Sequence, residues 1–113
     1  MNSSERARQF DVKPSVDGDV TTISVSGELD IATAEMLTET LEATHVKAGQ
    51  SLVIDLSAVS FMDSTGLRIL IGANRRAGEG GYRLSIVTGD SPAGRVLELS
   101  RMDEHMHVIG SLD

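Results

Sequence analysis

The sequence predicts one α/β domain: a mixed β-sheet that begins as a hairpin, continues as alternating helices and strands, and carries its helices packed on it. Three observations predict this. Polar and apolar residues alternate at period two early in the chain, the run 52–56 is almost continuously apolar, and the segments behind Asp30, Ser64 and Ser91 change to helical spacing. Strands that alternate with helices after a hairpin imply right-handed crossovers.

Phe10 and Val12 alternate with polar neighbours, and the stretch from Pro14 to Asp19 reads as a turn region. Beyond it Thr21, Ile23 and Val25 face one way, and Thr22, Ser24 and Ser26 the other. Gly27-Glu28-Leu29-Asp30 closes this second strand. Asp30 then stands as the expected N-cap of a helix carrying Ala34, Leu37 and Leu41, with Gly49 as its end. Leu52-Val53-Ile54-Asp55-Leu56 suits a central strand covered on both faces.

From Ser64 the spacing sets Leu67, Leu70, Ile71 and Asn74 on one helical face, with Arg75 and Arg76 in the last turns before Gly78-Glu79-Gly80-Gly81 stops the helix. Leu84, Ile86 and Val87 form the next strand. Ser91-Pro92 joins an N-cap to a proline at the first helical position, ahead of Val96, Leu97 and Leu99. Met106, Val108 and Ile109 make a short final strand. The expected domain spans residues 1–113, with disordered ends at 1–8 and 110–113.

Composition narrows the function. At 113 residues the chain suits one compact domain. Its formal charge of -7 repels nucleic acid and anionic membranes, and 3% aromatic content leaves little to stack on bases. There is no cysteine, so disulfides, thiolate metal sites and cysteine nucleophiles are excluded. No stretch approaches the ~20 apolar residues of a membrane span, and the start, Met-Asn-Ser-Ser-Glu-Arg-Ala-Arg, has no apolar segment after it as a secretory signal would. A cytoplasmic location is expected.

Enzymatic readings find little support. A nucleophilic Ser64 would need a base and oxyanion donors, yet His45, His105 and His107 are not spaced to meet it, and Met62-Asp63-Ser64-Thr65-Gly66 is not a Gly-x-Ser-x-Gly elbow. His105-x-His107 lacks a third metal ligand nearby. Gly78, Gly80 and Gly81 follow a helix instead of opening one, so they form no phosphate loop. Asp55 sits where a receiver domain carries its phosphoacceptor, but the acidic pair and the later lysine of that chemistry are missing. No catalytic residue, metal or cofactor is therefore expected. Ser64 itself is open to two readings, a helix cap shared with Asp63 or a modification site.

Gly27-Glu28-Leu29-Asp30 with Thr33-Ala34, Val53-Ile54-Asp55-Leu56-Ser57, and Phe61-Met62-Asp63-Ser64-Thr65-Gly66-Leu67 occur in this order, and from about residue 10 onward the chain resembles the anti-sigma factor antagonists of the STAS domain family. The resemblance implies a STAS-type mixed sheet and a binding protein without catalysis of its own. Its partner would be an anti-sigma factor that is also a serine kinase, displaced from its sigma factor and able to phosphorylate the serine after the motif's aspartate. That serine is Ser64. A metal-dependent serine/threonine phosphatase would restore the unmodified form.

The same resemblance implies partner contacts at Asp30, Phe61, Met62, Asp63, Thr65, Gly66 and Arg68. Thr65 replaces a second serine often found in the family, and Arg68 a residue that is often small. Arg68 lies one helical turn beyond Ser64, within reach of a phosphate there. The alternative reading is a STAS scaffold or transport-complex subunit in which Ser64 only caps its helix.

Overall fold

A computed structural model describes residues 9–110. Of the ends expected to be disordered, 1–8 and 110–113, residues 1–8 and 111–113 lie outside the described residues. The described elements run β1 (Asp11–Asp17), β2 (Val20–Leu29), α1 (Ala34–Ala43), β3 (Ser51–Met62), α2 (Ser64–Gly80), β4 (Arg83–Val87), α3 (Pro92–Leu99), a 3-10 turn (Met102–Glu104) and β5 (His107–Ile109). The strands form one sheet in the order β1-β2-β3-β4-β5. β1 pairs antiparallel to β2, and every later neighbour is parallel. The mixed α/β architecture expected from the sequence is the one observed.

The hairpin is tighter than the sequence suggests. Asp17 pairs with Val20, so the turn is Gly18-Asp19 alone, and Pro14 to Asp17 belong to β1 instead of a turn. A proline is tolerated there because β1 is an edge strand. Counting back from the pair that closes a two-residue turn, Pro14 falls where its missing N–H would face the open edge.

Each parallel crossover moves one strand in the same direction. With the usual right-handed sense, that places all three helices on one face of the sheet. Burial agrees: Ile23, Ile54 and Ile86 are paired in register and fully buried, while Ser24 and Asp55 on the alternate positions are not. Leu37 of α1, Leu70 of α2 and Leu97 of α3 complete the core, each fully buried and each contributing on the order of 1.5–3 kcal/mol by removal from water.

Two features of the helices differ from the sequence reading. α1 ends at Ala43, where Thr44 turns extended and its hydroxyl donates to the Thr40 carbonyl at 2.7 Å. Gly49 does adopt a left-handed φ of 86°, but in the separate turn that enters β3. The face of α2 is also rotated: Gly66, Leu70, Ala73 and Ala77 are buried, whereas Ile71 is 42% exposed. Small residues let this helix lie close to the sheet, so its inner face is not its most hydrophobic one. Gly81 ends α2 as expected, at φ 71°, and its N–H donates to the Ala77 carbonyl.

β3 is the element that positions the site. Its first half pairs with β2 and β4, but from Ala58 to Met62 only β2 accompanies it, across two register shifts. The sequence reading stopped this strand near Leu56. The added length carries Phe61-Met62 beyond the end of β4 and delivers Asp63 to the start of α2.

Candidate functional site

Asp63 is the N-cap of α2, in extended conformation, and its Oδ1 accepts the Thr65 N–H at 2.9 Å. Its backbone carbonyl accepts from Leu67 N–H at 3.3 Å. Ser64 is therefore the first helical residue and not the cap. Its side chain is exposed and makes no hydrogen bond within the described residues. The two readings of Ser64 separate here: the capping work is done by its neighbour, and the hydroxyl is free.

The first turn of α2 is held down by Gly66. A Cβ at this position would lie 2.7 Å from Met62 Cγ and 2.9 Å from Leu29 Cδ2, both in buried side chains. Contact this close fixes the helix start against β2 and β3. The amide donors of a first helical turn lack intrahelical partners, and with the helix dipole they favour an anion at Ser64.

A second loop stands beside it. Leu29 and Met62 are in register, so the chain leaves β2 next to the Asp63 turn. Asp30 is not the N-cap of α1, which is Thr33. Instead the Asp30 carboxylate accepts the Ala32 N–H at 3.0 Å, while its carbonyl accepts from Thr33 and Ala34. Thr33 Oγ1 donates to the Glu28 carbonyl at 2.6 Å and accepts the Asp30 N–H at 3.1 Å. These bonds give Asp30 a cap-like hold on the turn that leads into α1. Ile31 is left at the apex, 84% exposed.

The residues singled out in the sequence thus fall into two layers. Asp30 and Met62 are each only 4% exposed and Gly66 is buried, so these three lie beneath the surface. Phe61, 45% exposed, Ser64 and Arg68 lie outside, with Asp63 and Thr65 partly accessible. Sequence reasoning missed Ile31. Its signal was an isoleucine just behind a turn-forming aspartate, which helical spacing absorbed into a first turn. Met36, 41% exposed on α1, was missed for the same reason. Among the described residues, no group of three metal-ligating side chains occurs and no helix is long and apolar enough to cross a membrane.

The start of α2 thus presents an exposed serine near the exposed Phe61, with Ile31 exposed on the neighbouring loop. The chain is similar to known proteins. An anti-sigma-B factor antagonist of Listeria monocytogenes is 51% identical over 57 residues, 50% of this chain and 50% of the relative, so the match spans about half of that protein's length. The anti-sigma-F factor antagonist RsfB of Mycobacterium tuberculosis is 32% identical over 93 residues, covering 82% of this chain and 75% of the relative. The crystal structure of an anti-sigma factor antagonist from Mycobacterium paratuberculosis aligns with a TM-score of 0.77 at 31% identity, over 92% of this chain and 88% of that one. The family model of the STAS domain matches residues 11–113, from the first residue of β1 through β5 and beyond, and the chain belongs to that family.

Proposed function

We propose that this chain is an anti-sigma factor antagonist controlled by phosphorylation of Ser64. In its unmodified form it binds an anti-sigma factor kinase, so that the sigma factor is released; phosphorylation of Ser64 by that kinase weakens binding, and a serine/threonine phosphatase reverses it. The chain acts as a binding module, not an enzyme. The observation that carries this reading is the division of labour at the start of α2: Asp63 caps the helix and leaves the Ser64 hydroxyl exposed and unbonded.

Electrostatics make such a switch effective without unfolding. A phosphate adds roughly -1.5 to -2 charges, and at a helix N-terminus it is stabilised by about 0.3 to 2 kcal/mol. A partner carboxylate held ~4 Å from it is repelled by up to about 4 kcal/mol per charge pair at moderate effective dielectric. Half of that changes affinity by more than tenfold, at ~1.4 kcal/mol per tenfold. Ile31 and Phe61 supply the apolar contact, with Asp63, Thr65 and Arg68 around them and Asp30, Met62 and Gly66 supporting from below.

The test is to incubate the chain with each anti-sigma factor kinase of its own genome and Mg-ATP, then locate phosphate by mass spectrometry. The proposal expects one phosphate, on Ser64, and none in Ser64→Ala. Modification of Thr65 alone, or of neither residue by any active kinase, contradicts it and favours a scaffold role.

A further inference from the structure

We infer that the groove between α1 and α2 carrying Arg68 and Arg76 receives a carboxylate-bearing segment of the anti-sigma factor partner, and that phosphorylated Ser64 shuts the groove by drawing Arg68 to itself. The inference rests on the antagonist reading above and adds to it a second contact, on the flank of α2.

Thr38, Arg68, Ile69, Gly72 and Arg76 line this groove, which has a volume of about 210 Å³. Ser64, Arg68, Gly72 and Arg76 follow at intervals of four, so they form one ridge of α2. Side chains on a helix lean toward its N-terminus. Arg76 Nη1 accordingly lies 3.4 Å from where a Cβ of Gly72 would stand, so the missing side chain at 72 leaves the guanidinium room along the helix toward Arg68. Arg68 in turn lies one turn beyond Ser64 on this ridge, within reach of a group added there.

Charge decides the occupant. Neither Arg68 nor Arg76 pairs with a carboxylate among the described residues, whereas Arg75, the next position on the helix, lies 3.7 Å from Glu79. Two unpaired guanidinia on one groove are unusual placement for a chain of net charge -7. Their planar forks suit a carboxylate bound through two parallel hydrogen bonds. Ile69, half-buried, and Thr38 give the groove a partly apolar floor, which fits an acidic polypeptide segment better than a free anion. A phosphate on Ser64 carries more charge than that carboxylate and sits one turn from Arg68, so it competes for the same side chain from within the chain.

Calorimetric titration of the chain with the anti-sigma factor that binds it, at low and high salt, tests the inference. Arg68→Ala and Arg76→Ala are each expected to weaken binding about three- to fivefold at low salt and to flatten its salt dependence, while Arg75→Ala changes affinity less than about twofold. Ser64→Asp is expected to cost at least about threefold less in the Arg68→Ala background than in wild type. Arg76→Ala behaving like Arg75→Ala, or an equal Ser64→Asp penalty in both backgrounds, overturns the inference while leaving the antagonist reading intact. Failure of wild type to bind any anti-sigma factor removes both. Self-association in sedimentation velocity that Arg76→Ala abolishes would assign the groove to a second copy of this chain and overturn the partner assignment.

Discussion

At the start of α2, capping and signalling fall on adjacent residues, and substitutions can separate them. Asp63→Ala removes the bond to Thr65 N–H and is expected to lower stability by about 1 kcal/mol, read by urea unfolding. Ser64→Ala is expected to stay within about 0.5 kcal/mol of wild type in the same assay, because the hydroxyl is exposed and unbonded. Gly66→Ala sets two effects against each other. The gain in helix propensity is about 1 kcal/mol, but overpacking against Met62 and Leu29 costs about 1–3 kcal/mol. A net loss of stability is expected, and a stabilised variant would show that the contact at Gly66 gives way easily. The motif around Ser64 was legible in the sequence, yet the choice of Asp63 over Ser64 as cap was not, since both residue types favour that position and only the extended Asp63 backbone decides it.

Among the elements, strands and helices followed the period of their apolar residues, and the errors have specific causes. α1 seemed to run to Gly49 because glycine is the usual helix terminator, whereas Thr44 ends it by bonding back to Thr40. The inner face of α2 was only partly legible: Leu70 is buried and Leu67 packs against the core, but Ile71 is exposed, because close approach to the sheet selects Gly66, Ala73 and Ala77. β3 outran its apolar stretch because backbone pairing with β2 continues at Ala58, Val59, Phe61 and Met62, and the side chains of Ala58 and Phe61 are exposed. Leu37 of α1, fully buried against the sheet, gives the matching energetic test: Leu37→Ala is expected to cost about 2–5 kcal/mol in chemical denaturation. A cost under about 1 kcal/mol would mean that α1 contributes little to the core.

For the whole molecule, the parallel pairing of β2 with β3 puts their C-terminal ends side by side at one end of the sheet, where Phe61 at the end of β3, Ser64 at the start of α2 and Ile31 in the loop after β2 are all exposed. Ile31 was not legible in the sequence because its exposure depends on the turn that the Asp30 and Thr33 bonds build ahead of α1. Ile31→Ala is expected to reduce affinity for the anti-sigma factor about tenfold or more while leaving the melting temperature unchanged. An unchanged affinity would remove Ile31 from the interface. The central claim is that charge at Ser64 controls binding on an intact fold. It is tested most directly by measuring the affinity of the anti-sigma factor for the chain before and after stoichiometric phosphorylation of Ser64. The account predicts a loss of at least about tenfold; equal affinity of the two forms would contradict it.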